Sequence, residues 1–465
     1  MMKAPLLLIT VLLSMPQQGF SQVLAPDALP GVLPDIVPQV TDRVQRNTEQ
    51  LQQQLIQQQQ LAQHLARQAA LPDPLTVLPK TLDIVNQRGE LSWREVEVEQ
   101  GFRAIEREWL LLLSGSEWQQ LLGDWPQLPA LVQSEHKLHA LGLLLIKIKV
   151  PAELDSAKAL DTKLTRTLTT LAGRNHLYQP QNEPKNQPDT APLAGKEALA
   201  YGDVAMCQLP VTLGMVDTAI ALQHPALQQQ AGQLKIEQRN FLPSDIAQSY
   251  GHGTAIAGVL AGQHVNSPLL PTLSLYSASA FYSSNLYQQS ATLSHIVQAL
   301  DWLASQQVRV INMSLTGPDN PVLAGVVRQL AAQQVMLVAA AGNGGPAAAP
   351  LYPAAYNEVL AVTAVDPQWQ LYRWANQGDY IDFAALGVHV PALRADGDVL
   401  KQSGTSIATP VVSAAVACLR AQQPELSVAQ IRLALIAQAR ELGGPGKDPQ
   451  FGFGVIAAPL KTQLE

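Results

Sequence analysis

Five short segments in the C-terminal half of the chain are apolar along almost their whole length: VTLGMV (211–216), LSLYSASA (273–280), VRVINMSL (308–315), VMLVAAA (335–341) and VLAVTAV (359–365). A strand with one wet face alternates apolar and polar residues. A strand apolar at successive positions must be covered on both sides. Between these segments lie stretches with helical spacing of apolar residues: GTAIAGVLAG (253–262), LSHIVQALDWLASQQ (293–307) and PVLAGVVRQLAAQQ (321–334). Strands buried on both faces and alternating with helices predict a mostly parallel sheet between two helical layers, an α/β architecture. In such sheets functional residues gather beyond the carboxyl ends of the strands.

The rest of the 465 residues divides by texture. Residues 1–22 place Lys3 before a short apolar run and end in small residues, the pattern of a cleavable signal peptide. That run is too short to span a bilayer, which takes about 20 residues. Residues 23–98 are rich in Pro and Gln and read as a spacer, with one amphipathic helix over 47–70. Residues 99–180 mix strand and helix patterns and predict a small α+β domain. Its strands are FRAIEREWLLLLS, HALGLLLIKIKV and RNHLYQPQ; its helices are SEWQQLLGDW and AELDSAKALDTKLTRTLTTLAG. Residues 181–198 form a Pro- and Asn-rich linker, and 199–465 the large α/β domain. Apolar residues make up 47% of the chain, enough for a sizeable core, and the formal charge of −7 lacks the basic excess of a nucleic-acid binder. The two cysteines, Cys207 and Cys418, each lie in an apolar run and read as buried thiols. A Cys-based metal site is excluded by their number.

Four residues at predicted strand ends or helix starts, all set among small residues, share a chemistry. Asp217 follows VTLGMV, His252 sits in SYGHGTAIAG, Asn343 in VAAAGNGG, and Ser406 in QSGTSIATP. Each has a plain structural reading: a turn cap, a helix-start histidine, an Asn-Gly turn, and a serine that caps its helix. Together they make up the set that acyl transfer needs. A serine hydroxyl is a weak nucleophile until a neighbouring base takes its proton. Histidine is that base, and a carboxylate fixes its tautomer. A side-chain amide with a backbone N–H can hold the oxyanion. The order Asp, His, Ser excludes the α/β-hydrolases, in which histidine follows serine.

The segments GMVDTAI, GHGTAIAGVLAG, VINMSLTGP, VAAAGNGG and SGTSIATPVVSAAVA, in that order, resemble the subtilisin-like serine proteases over residues 199–465. The resemblance implies a subtilisin-like three-layer fold and a secreted or periplasmic serine endopeptidase acting on polypeptides. Asp217 would be the triad carboxylate, His252 the general base, Ser406 the nucleophile and Asn343 the oxyanion-hole side chain. Ser314, Leu315, Thr316 and Gly317 would form a strand that pairs with extended substrate, while Ala341 and Gly342 line the pocket beside the cut. Tyr352-Pro353 matches a position where the family carries a cis peptide. Residues 99–180 resemble the family's ferredoxin-like propeptide, an intramolecular chaperone and inhibitor, with autocleavage expected between Tyr178 and Lys196. No cofactor is implied for the reaction. Calcium loops occur in the family, but the stretch from Gly262 to Ala280 has no carboxylate and does not match one. No membrane or nucleic-acid partner is expected once the leader is removed. The alternative is a catalytically silent exported binding or scaffold protein on the same fold.

Overall fold

A computed structural model describes residues 79–164, 171–180, 205–228, 233–262, 268–284 and 288–457. All of these belong to one compact unit, Leu65–Glu465. The leader, the helix over 47–70 and the linker over 181–198 lie outside the described residues.

The C-terminal part is built on seven parallel strands: β7 (Val211–Asp217), β8 (Lys235–Asn240), β9 (Leu273–Ser279), β12 (Val310–Met313), β14 (Met336–Ala340), β15 (Val359–Val365) and β16 (Phe383–Leu386). Their order across the sheet is β16-β15-β14-β12-β7-β9-β8. The five apolar segments are all strands here, and alternate residues feed two different cores. Leu213, Met215, Val310, Met336, Val338, Leu360 and Val362 join one cluster with helices α4 (Gly251–Ala261), α7 (Thr405–Gln422) and α8 (Val428–Gln438). Ile311, Met313, Leu337, Ala339, Val359 and Ala361 join the other with α5 (Leu293–Ser305) and α6 (Pro321–Ala332). Period-two side chains with helices on both faces explain why these strands carry no polar stripe. A four-residue helix, α3 (Pro225–Gln228), and a hairpin of β17 (Val390–Leu393) and β18 (Val399–Gln402) complete this part.

The N-terminal part runs β1 (Thr81–Val85), β2 (Leu91–Glu97), β3 (Arg103–Leu113), α1 (Gly115–Asp124), β4 (Val132–Leu138), β5 (Leu143–Lys149), α2 (Ala157–Asp161) and β6 (Leu171–Pro180). α1 starts at a reciprocal cap: Ser114 Oγ accepts from the Glu117 N–H, and the Glu117 carboxylate accepts from the Ser114 N–H. β3 is apolar on both faces for the same reason as the parallel strands. Trp109, Leu111 and Leu113 pack under α1, whereas Leu110 and Leu112 face the second core of the C-terminal part. Midway, Arg107 adopts φ 56° and β3 changes partner, pairing with β2 before the kink and with β5 after it.

Three expectations are corrected here. Of the helix read over 152–173, the described residues hold the short α2, and Leu171–Gly173 already belong to β6, where they pair with Leu110–Leu112 of β3. The stretch read as spacer contains the β1–β2 hairpin, which extends the β3 sheet. The cysteines are not thiols: Cys207 and Cys418 form a disulfide that ties the segment before β7 to α7. The two runs share one core cluster although 211 residues separate them, a proximity no local pattern reveals.

β6 joins the two parts. It pairs antiparallel with β11 (Gln289–Thr292) through Tyr178–Ala291 and Leu177–Thr292. On its other side it pairs with β13 (Leu315–Thr316) through Pro180–Leu315 and Gln179–Thr316. β11 also pairs with β10 (Tyr282–Ser283), so one antiparallel sheet runs from β1 into the C-terminal part.

Candidate active site

Asp217 is the last residue of β7, and its carboxylate is almost fully buried (1% exposed). Its Oδ1 accepts the Thr218 N–H at 2.7 Å. The His252 Nδ1 lies 2.8 Å from Oδ1 and 2.9 Å from Oδ2. With an acceptor carboxylate at Nδ1, a neutral imidazole carries its proton on Nδ1 and its lone pair on Nε2. That Nε2 is buried and has no hydrogen-bond partner. Gly253 lets α4 come this close to the end of β7. A Cβ there would lie 2.2 Å from the Thr218 carbonyl oxygen, whereas the Gly253 N–H donates to Thr218 Oγ1 at 2.7 Å.

Ser406 is the second residue of α7 and is buried (1% exposed). It does not cap the helix. The N-cap is Gly404, at φ 149°, which offers no side chain. The cap comes from across the site instead. Asn343 Oδ1, in the loop after β14, accepts both the Thr405 N–H and the Thr405 hydroxyl at 3.0 Å. Thr405 Oγ1 in turn accepts the Gly342 N–H at 3.1 Å. With its oxygen held by Thr405, the Asn343 carboxamide is oriented, and its Nδ2 is the opposite, donor end of the group.

Pro410 has no N–H to give the carbonyl four residues back, which is that of Ser406. Ser314 Oγ fills the place, donating to the Ser406 carbonyl at 2.9 Å. Ser314 Oγ also accepts from Asn312 Nδ2 at 3.0 Å, and Asn312 Oδ1 accepts from Ser413 Oγ at 3.0 Å. A buried polar chain thus bolts the first two turns of α7 to β12. The Ser314 side chain is thus turned to the helix that carries Ser406. Leu315 and Thr316 form β13 and pair with β6. Gly317 exchanges both backbone bonds with Tyr352 (2.8 and 3.0 Å) and turns its bare Cα to the Tyr178 ring. Tyr352-Pro353 is cis. Ala341 is buried, and its carbonyl accepts from the Tyr380 hydroxyl at 3.1 Å.

Residue patterns missed several members of this constellation. Asn376 holds the Asn343 loop, accepting the Gly344 N–H at 2.8 Å and donating its own N–H to the Gly342 carbonyl at 3.0 Å. Asn312 and Ser413 look like ordinary strand and helix residues. Only Thr405 and Thr218, each beside a triad candidate, were within reach of a sequence argument. Among the described residues no cluster of three or more His, Cys, Asp or Glu could hold a metal, and no helix is long and apolar enough to cross a membrane.

The subtilase family profile matches residues 210–454, the stretch that carries all four candidates. The chain belongs to the subtilase family of subtilisin-like serine proteases. It is 33% identical over 260 residues to subtilisin DY of Bacillus licheniformis, covering 54% of this chain and 91% of that protein. It is 33% identical over 210 residues to the minor extracellular protease Epr of Bacillus subtilis, covering 44% of this chain and 32% of Epr. The chain thus spans about a third of the length of Epr. Among solved structures, fervidolysin of Fervidobacterium pennivorans, a keratinolytic enzyme related to subtilisin, superposes with a TM-score of 0.60 at 19% identity. It covers 85% of this chain and 65% of its own. At that identity the likeness speaks for the subtilase fold alone.

Proposed function

We propose that this subtilase is made as an exported precursor of a serine endopeptidase, with Asp217, His252 and Ser406 as its triad and residues 99–180 as its propeptide. The observation that carries the reading is the His252 imidazole, with Nδ1 held by Asp217 and Nε2 buried without a partner. In this mechanism Nε2 takes the proton of Ser406 Oγ as the hydroxyl attacks the scissile carbonyl. Asp217 steadies the imidazolium that forms. The oxyanion is held by Asn343 Nδ2 and the Ser406 N–H, at the start of α7 where the helix dipole favours negative charge. Collapse passes the proton to the leaving amine, and water then releases the acyl group by the same route. These steps draw on three side chains, the Asn343 amide, one backbone N–H and water, and require no cofactor.

The antiparallel seating of β6 between β11 and β13 supports the propeptide role. A polypeptide substrate would add to the same two edges through main-chain bonds. Pro180 lies opposite Leu315, next to the Ser314 that holds the Ser406 carbonyl, so the cut falls in the linker just beyond it. The Cys207–Cys418 disulfide and the leader pattern support export, since such bonds persist in oxidising compartments.

A fluorophosphonate probe with intact-mass analysis tests the reading. The wild-type protein should lose its N-terminal part and label at Ser406, and Ser406→Ala should do neither. A processed wild-type protein that never labels would instead favour the silent scaffold.

A further inference from the structure

The β1–β2 hairpin precedes the β3–β6 unit that fits the propeptide, and it reaches the catalytic half through contacts of its own. Glu95 is fully buried (0% exposed). Its carboxylate accepts from the Tyr282 hydroxyl at 2.8 Å and from Ser284 Oγ at 2.9 Å, both in the catalytic half, and from Arg103 Nε at 3.3 Å. Trp93 Nε1 donates to the same Tyr282 hydroxyl at 3.2 Å, with the two rings edge-on at 5.0 Å. Ile84 packs in a separate small core with Leu242, Ile246 and Tyr282. At the hairpin turn, Asn86 Nδ2 donates to the Asp245 carboxylate at 3.0 Å, and the Gln87 N–H donates to the Asp245 carbonyl at 2.9 Å.

We infer that residues 81–97 are a second clamp that holds the cleaved pro-piece on the catalytic half, at a surface formed by β10 and residues 241–246. This rests on the propeptide reading of residues 99–180. Cutting the linker beyond Pro180 frees the end of β6 but leaves every hairpin contact intact. Arg103 leaves with the pro-piece, still paired with Glu95, but withdrawal breaks the bonds of the Tyr282 and Ser284 hydroxyls to a buried carboxylate, so this contact sets a slow step in release. The enzyme therefore stays latent after processing, until the hairpin lets go or is digested.

The experiment follows the processed full-length product by size exclusion for retained pro-piece and by fluorophosphonate labelling over time. Glu95→Ala, a change absent from the mature enzyme, should release the pro-piece on the order of 30-fold faster. Labelling should rise in step. Release at the wild-type rate overturns the clamp. Should Glu95→Ala fail to give soluble protein, Trp93→Phe decides. It keeps an aromatic ring but loses the N–H to Tyr282 and some of the packing, and should speed release about fivefold; an unchanged rate again overturns the clamp. If no version labels, the protease reading falls by itself. Retention after cutting the linker with an added protease then still reads the clamp.

Discussion

His176 shows how one side chain can carry chemistry that its sequence context hides. It lies on β6, two residues before Tyr178, and reads as a plain packing or surface histidine. In the fold its Nδ1 accepts from Asn320 Nδ2 at 2.9 Å, and the same amide donates to the Arg174 carbonyl at 3.0 Å. Asn320 Oδ1 meanwhile accepts the Val322 N–H at the start of α6. Burial, with Arg174 nearby, lowers the pKa of His176 from 6.5 to about 4, against the opposing pull of Glu99 and Asp319. A histidine with a depressed folded value leaves the assembly intact above pH 6.5 and destabilises it progressively as pH falls from there to about 4. The wild-type chain should therefore lose several degrees of melting temperature between pH 7 and pH 4.5. His176→Gln, which keeps an acceptor but cannot titrate, should lose measurably less. Equal losses would refute the assignment. At the same scale, Asp217, His252, Asn343 and Ser406 stood out as candidates because each sits in a short motif of small residues. Asn376 did not, since its partners Gly342 and Gly344 lie more than thirty residues away.

Helix α7 depends on a part that belongs to another element. Its internal Pro410 would leave the Ser406 carbonyl unsatisfied, and Ser314, from the turn after β12, supplies the missing donor. Ser314→Ala should destabilise the protein by about 1–3 kcal/mol, the cost of an unsatisfied buried acceptor. On the proposed mechanism it should also lower kcat more than it raises KM, because the lost bond orients Ser406 rather than substrate. Chemical denaturation and steady-state kinetics would check this, and an unchanged kcat would mean the bond is only structural. Element boundaries were readable to within a residue where helical spacing was clear: the helix read over SEWQQLLGDW, 116–125, is α1, Gly115–Asp124. They failed at residues 171–173, where helical spacing gave way to a strand because Leu171–Gly173 pair with Leu110–Leu112 of β3.

On the scale of the molecule, the disulfide closes a chain segment of 211 residues and fastens the catalytic half's leading segment to α7. Breaking it should cost about 2–5 kcal/mol, mostly by freeing the unfolded chain. The melting temperature of the protein should fall in reductant, and Cys207→Ser with Cys418→Ser should reproduce the fall without reductant. Identical melting in both conditions would show that the bond is not formed. Long-range features such as this one mark the boundary between sequence and structure here. By itself the sequence determined the parallel sheet and pointed to four candidate residues for acyl transfer in a fixed chain order. Those follow from side-chain periodicity and local motif chemistry, which act over a few residues. The cysteine pairing, the Ser314 prop, the seat of β6 and the burial of Glu95 were decided only by the tertiary structure. Each joins residues far apart in the chain, and their contact exists only once the sheets and helices have packed.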